Sequence, residues 1–205
     1  MQGVADRKIV ETPDVRRLRL LEGFAAAVSE HGYATTTIAH IVKNARVSKR
    51  TFYEHFTDKE ECFLALYAEA TEILRKGVEH ALRLPAASWE EQLDAGLDAY
   101  LTALQSNPAL TRACLLEIQA AGPRALQLRL QGRAKVAAVL RAFVARTRRD
   151  HPQLCPLSAA MATVVVGGID ELLLVNVESS AKNGLSELRE TASELIRAVL
   201  GVRRR

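Results

Sequence analysis

The sequence predicts an all-α fold of about nine helices, and three observations carry that expectation. Nearly half of the 205 residues are apolar (48%) and a quarter are charged (25%), while glycine (11) and proline (6) are scarce, a balance that favours few, long elements. Helix-cap signatures recur along the chain. No segment alternates apolar and polar residues as a half-buried strand requires. A chain of this length holds a small domain beside a larger one and buries a sizeable core.

Each helix has a start and a stop. Thr12 caps the first, Pro13 occupies its first helical position, and His31-Gly32 closes it after Ser29 or Glu30. A short second helix begins near Thr36 with Ile38, Ile41 and Val42 on one face. Ser48 caps a third, Lys49 to His55, and Asp58 with Glu61 opens a fourth as a capping box that runs toward Arg83. Leu84-Pro85 breaks the chain, and Ser88 with Glu91 opens the fifth, to about Gln105. Asn107-Pro108 starts a sixth, through Ile118 to Gly122-Pro123. A long helix from about Arg124 to Arg148, an apolar one from Pro156 to Ser179, and a last from Leu185 to Leu200 after Asn183-Gly184 complete the chain.

Composition narrows the class. A formal charge of +4 and a pI near 9.1 permit nucleic-acid binding without requiring it. The cysteines Cys62, Cys114 and Cys155 lie far apart, so neither zinc spacing nor a disulfide framework is expected, which suits a reduced cytoplasmic compartment. The residues before Leu18 contain no apolar run and read as no secretory signal. Leu157 to Val177 is long enough to span a bilayer, but Asp170 and Glu171 stand in its middle, each costing about 2.5–3.5 kcal/mol on insertion. A helix buried in protein is the expected outcome. No Gly-rich phosphate loop, metal-ligand cluster or nucleophile elbow is present, and the five histidines are scattered, which argues against an enzyme and against a bound cofactor or metal.

The most informative stretch runs from Gly32 to Tyr67. Two short helices flank the turn Asn44 to Val47, the plan of a helix-turn-helix whose second helix enters the DNA major groove. At about 100° per residue, Phe52 and Phe56 share an inward face. Arg50, Thr51 and Glu54 then face outward, with Lys49 and Tyr53 on one flank and His55 on the other. Arg50 suits the O6/N7 edge of guanine and Glu54 the amino group of cytosine. Lys49, Tyr53 and His55 suit phosphates or base edges. Thr36 and Thr37 bring hydroxyls to a helix start where a phosphate docks, as does Lys59 one helix later. The rival reading at this level is a packed helix pair with Ser48 merely a cap.

From Leu20 to about Tyr67 these residues resemble the TetR family of bacterial repressors. The resemblance rests on Gly32-Tyr33, Thr36-Thr37, Ile41, Ala45-Arg46-Val47-Ser48, Thr51-Phe52-Tyr53-Glu54-His55-Phe56 and Lys59. It implies that Thr37, Ser48, Thr51, Tyr53, His55 and Lys59 contact DNA, while Lys49, Arg50 and Glu54 tune sequence preference. Arg46 stands where the family has a turn glycine; a left-handed backbone there costs about 1–2 kcal/mol, which a phosphate contact by Arg46 would offset. Val42 replaces the usual alanine, and Gly23-Phe24 with Val28 departs from the usual small pair and aromatic, as a volume-conserving exchange would.

The remaining two-thirds yields two expectations. The apolar helix with Gly167 and Gly168, and the last helix with Leu188, Ala192, Leu195 and Val199 on one stripe, would pair with their copies in a homodimer; the rival is that both are core helices of a monomer. A cavity for a small, apolar effector would draw on Trp89, Tyr100, Cys114, Glu117, Ile118, Phe143, Met161 and Asp170, with Glu117 alternatively paired to a nearby arginine. Arg146, Arg148 and Arg149, with 203–205, read as solvated helix ends.

The expected organisation is a DNA-binding domain over 1–57, with 1–11 as an arm, and a sensing and dimerisation domain over 58–205. The expected function is a ligand-released repressor binding a palindromic operator in double-stranded DNA as a dimer. Ligand would move the fourth helix and change the spacing of two recognition helices about 34 Å apart; a preference of about 3 kcal/mol weakens binding more than a hundredfold. The alternative is a DNA-binding or adaptor protein without an effector.

Overall fold

Nine α-helices and one 3-10 turn make up the secondary structure of the described residues, and no strand occurs among them. The computed structural model describes residues 12–120, 122–179 and 184–202. The expected arm 1–11, Asn183 and the arginines 203–205 lie outside them. Contacts divide the chain into one unit ending at Leu66 and another beginning at Tyr67. The division falls inside the fourth helix rather than before it at 57/58, because Cys62, Phe63 and Leu66 in that helix's first turns are buried.

In the first unit, α1 (Pro13–His31) starts as its cap signature requires: Thr12 Oγ1 accepts from the Val15 amide at 3.4 Å, and Gly32 at φ 76° ends it. Leu20, Leu21, Phe24, Ala27 and Val28 form its buried face. A Cβ on Gly23 would lie 2.7 Å from the Ala45 amide nitrogen and the Ile41 carbonyl oxygen, so glycine is what lets α2 (Ile38–Ala45) approach. Phe24 then fills the space beside it, with its ring 5.9 Å from Phe63 and 6.2 Å from Tyr33. α3 (Lys49–His55) and the start of α4 (Lys59–Ala81) close the unit. Asp58 accepts from the Glu61 amide at 2.8 Å, while the Glu61 carboxylate reaches one residue further back, to the Thr57 amide at 2.7 Å.

The second unit takes α4 from Tyr67 onward, then α5 (Trp89–Gln105), α6 (Pro108–Leu115), a 3-10 turn (Glu117–Ala120), α7 (Gly122–Thr147), α8 (Ala159–Ser179) and α9 (Gly184–Val199). Ser88 and Asn107 cap α5 and α6 as expected. α6 stops at Leu115, short of Ile118, and the chain tightens into the 3-10 turn. Leu93, Leu97, Leu101, Leu140, Phe143, Val165, Ile169 and Leu173 are among the buried residues of its core. Arg146 and Arg148 are tied down rather than merely solvated. Arg146 donates to the Leu82 carbonyl just past the end of α4 at 2.6 Å, and Arg148 to the nearby Leu154 carbonyl at 2.7 Å.

α8 is long and apolar enough to cross a membrane by length and composition. One side of it, Val165, Val166, Ile169 and Leu173, is buried, and Asp170 is buried with it in an ion pair. The other side exposes Met161, Val164, Leu172 and Val175. Gly168 lies along that stripe with nothing near it, whereas Gly167 lies under the Arg133 guanidinium. On α9, Leu188 and Ala192 are turned into the chain's own core, with Leu195 and Val199 packed against it. Within one chain, Leu188 and Ala192 are therefore already covered, while Leu195 and Val199 remain partly accessible. A helix with a single apolar stripe spends it on the nearest core, here against α5 and α8.

Candidate functional site

The outward face of α3 is built by three local devices. Ser48 Oγ accepts from the Thr51 amide at 3.0 Å and fixes the start of the helix. Phe52 and Phe56 are buried and fix its rotation. The turn before it fixes its angle to α2. Arg46 adopts φ 54°, ψ 43°, its amide bonds the Lys43 carbonyl at 3.2 Å, and the Val47 amide bonds Val42 at 3.0 Å. That pair of bonds is the Schellman arrangement, normally made by glycine. Arg19 Nη2 donates to the Arg46 carbonyl at 3.4 Å and braces the turn from α1.

With α3 so held, Lys49, Arg50, Tyr53 and Glu54 are exposed, and Thr51 and His55 are half-buried beside them. Tyr53 keeps 58% of its surface accessible, unusual for an aromatic with a neighbouring core to join. Arg50 Nε pairs with Glu54 Oε1 at 3.2 Å. So exposed a pair is worth little to stability, and both groups remain available to base edges. Thr37 caps α2 in a reciprocal box with His40, at 3.3 and 3.4 Å, leaving its hydroxyl at the helix start where an anion docks.

Two expected contacts are placed differently. Thr36 is 2% exposed and its hydroxyl donates to the Gly32 carbonyl at 2.7 Å, so it serves the end of α1 and has no free hydroxyl for a phosphate. Lys59 Nζ donates to the Tyr33 carbonyl at 3.0 Å and lies 4.5 Å from the centre of the Tyr33 ring, which makes it a brace between the start of α4 and the segment after α1.

The second unit contains a cavity of about 270 Å³ between α4, α5, α6, α7 and α8. Leu74, Leu104, Leu110, Leu115, Val136 and Val166 make much of its wall. Its polar lining includes Tyr67, Thr71, Tyr100, Thr111, Arg133 and Asp170. The Tyr100 hydroxyl donates to one oxygen of Asp170, and Arg133 Nε donates to the other at 2.9 Å. Burial raises the Asp170 carboxyl against the pull of these two partners. Burial likewise pushes Tyr67 up to about 12, and carries Tyr100 well above its ordinary value with the Asp170 charge adding to it.

Tyr100, Cys114 and Asp170 are thus the expected ligand residues that border the cavity. The others lie elsewhere. Trp89 is buried with its ring 6.4 Å from His151, Phe143 is core beneath Arg146, and Ile118 is fully buried outside the cavity wall. Met161 is exposed on α8, and Glu117 pairs with Arg112 at 3.0 Å. Sequence reasoning missed Tyr67, Thr71, Thr111 and Arg133. The signal for Arg133 was present: a carboxylate inside an apolar helix demands a cation on a neighbouring one.

Residues 20–66 match the model of the bacterial regulatory proteins of the tetR family. It is similar to the HTH-type transcriptional regulator HbdR of Aromatoleum sp. (strain CIB), 34% identical over 117 residues, which are 52% of this chain and 50% of that protein. It is also similar to the HTH-type transcriptional repressor AcnR of Corynebacterium diphtheriae, 38% identical over 55 residues, 27% and 29% of the two chains. The chain therefore spans half the length of the first relative and less than a third of the second. The transcriptional regulator FadR of Bacillus subtilis, solved with stearoyl-CoA, superposes with a TM-score of 0.75 at 19% identity, covering 91% of this chain and 99% of that one. At that identity the likeness defines the fold.

Proposed function

We propose that the chain is a DNA-binding transcriptional regulator, a ligand-released repressor that binds a palindromic operator as a homodimer in the bacterial cytoplasm. One observation carries the reading. α3 turns two phenylalanines inward and presents Lys49, Arg50, Tyr53 and Glu54 outward, inside the segment that matches the family. Such a helix offers base-edge donors and acceptors on the side a major groove would face. Repression follows the role of the similar repressor AcnR, and a cavity in the second unit supplies a place for an effector. A protein of the same fold was solved with an acyl-CoA. The homodimer rests on the uncovered apolar stripe of α8, Met161, Val164, Leu172 and Val175, which a second copy would remove from water.

The test is selection of preferred sites from random duplex DNA by the wild-type chain and by Tyr53→Ala. A two-fold palindrome that the variant binds at least about tenfold more weakly supports the reading, since that factor is the loss of one good contact of about 1.4 kcal/mol. Binding that enriches no sequence and does not change in the variant refutes it.

A further inference from the structure

We propose that the effector is an organic anion, a carboxylate-class head group on a compact apolar body, held at the Arg133 end of the cavity. The proposal deepens the sensing reading above and rests on it. Both oxygens of Asp170 already accept a hydrogen bond, one from Tyr100 and one from Arg133, so this carboxylate of the cavity wall is poorly placed to recruit a cation. Arg133 borders the cavity and commits its Nε to that bond, while its two Nη groups hold no hydrogen bond among the described residues.

Arg129 lies one turn earlier on the same face of α7. Its Nε is buried and, among the described residues, has no acceptor. Burial and the neighbouring Arg133 both act against its charge, with Tyr67, Asp170 and Glu171 acting for it. Of these, Glu171 is exposed and screened by solvent. The charges of two guanidinium groups therefore act on one buried carboxylate, Arg133 from the cavity wall and the half-buried Arg129 from outside its lining. Buried charge is tolerated when paired, and an orphaned buried N–H costs free energy until an acceptor arrives. An incoming carboxylate supplies the countercharge to both groups and an acceptor for the Nη groups of Arg133. Leu74, Leu104, Leu110, Leu115 and Val136 then cover the apolar body.

The experiment compares head groups on identical bodies. Octanoate, octanol and octylammonium, and 3-phenylpropanoate with its alcohol and amine, are titrated calorimetrically into the full chain and into Arg129→Met. The proposal expects an acid to bind at least about tenfold more tightly than its alcohol, the gain of one charge-assisted contact, and the amine not to bind. It expects Arg129→Met to weaken the acid about tenfold and leave the alcohol unchanged. Equal or tighter binding of alcohol or amine, no binding of either acid, or an acid affinity untouched by Arg129→Met overturns it. The same probes are added to the chain on its selected operator. Release by the alcohol refutes the anion and preserves the sensing reading. Binding of an acid that leaves operator affinity unchanged refutes the sensing reading while the ligand class stands.

Discussion

Arg133 on α7 and Asp170 on α8 meet with Nε 2.9 Å from Oδ2, beside a cavity wall and under the hydroxyl of Tyr100. This three-residue network explains how the buried, apolar side of α8 carries a carboxylate. The charge is paired, both of its oxygens are bonded, and only 7% of its side chain is accessible. Such networks cost much when one member is removed, because the others are left buried and unsatisfied.

Tyr100→Phe removes one donor from that carboxylate and should destabilise the chain by about 1–3 kcal/mol. Asp170→Ala leaves Arg133 uncompensated and should cost about 3 kcal/mol, the low end for a broken buried pair because the Arg133 side chain is still 21% accessible. Urea unfolding checks both. A loss below about 0.5 kcal/mol for either would place that residue among ordinary surface substitutions.

Thiol chemistry reports the same packing. Burial pushes the thiols of Cys62 and Cys114 up to about 12, whereas Cys155 is exposed. Since the thiolate is the reactive form, a thiol reagent at pH 8 should modify Cys155 rapidly, the half-buried Cys114 slowly, and Cys62 only after unfolding. Modification of Cys62 in the native chain at the rate of Cys155 would contradict its burial.

The turn before α3 stores strain. Arg46→Gly should raise stability by about 1 kcal/mol, because glycine adopts φ 54° without the Cβ penalty. If Arg46 also meets a phosphate, the variant should bind the operator less steeply with salt, losing close to one unit of the log–log slope. A thermal melt and a salt titration separate the two effects. A melting temperature lowered by the glycine would contradict the strain.

On α4, Arg75 holds Glu72 at 2.7 Å and Glu79 at 2.6 Å. Its hydrogen bond draws the Glu72 carboxyl from 4.5 down to about 2. The folded value lies below the unfolded one, so the stabilisation is present above about pH 4.5 and is lost as pH falls through about 2. An NMR titration should find the low midpoint in the wild type and a value near the ordinary one in Arg75→Met. Identical titrations would remove the pairing as its cause.

The helix order was legible in the sequence because caps are local. Thr12, Ser48, Ser88 and Asn107 each accept from the amide three residues on, where their spacing placed them. The reading face of α3 was legible because Phe52 and Phe56 alone set its rotation. Long-range choices were not. Thr36 and Thr37 are adjacent and alike in sequence, yet only the fold shows that one hydroxyl is spent on Gly32 and the other sits at a helix start. Leu188 and Ala192 form the stripe that a partner helix or the chain's own core would equally accept, and the core takes it. Tyr67 and Arg133 reach the cavity only through the packing of α4 and α7 with α5, α6 and α8, which no local pattern records.

The claim on which the account turns is that α3 reads bases. Site selection repeated with Arg50→Ala and with Glu54→Gln tests it most directly. The account predicts that the palindrome and its half-site spacing persist while preference relaxes at one position per half-site, by about 1–3 kcal/mol of discrimination. An unaltered preference at every position in both variants would contradict it, and another element of the chain would have to carry the recognition.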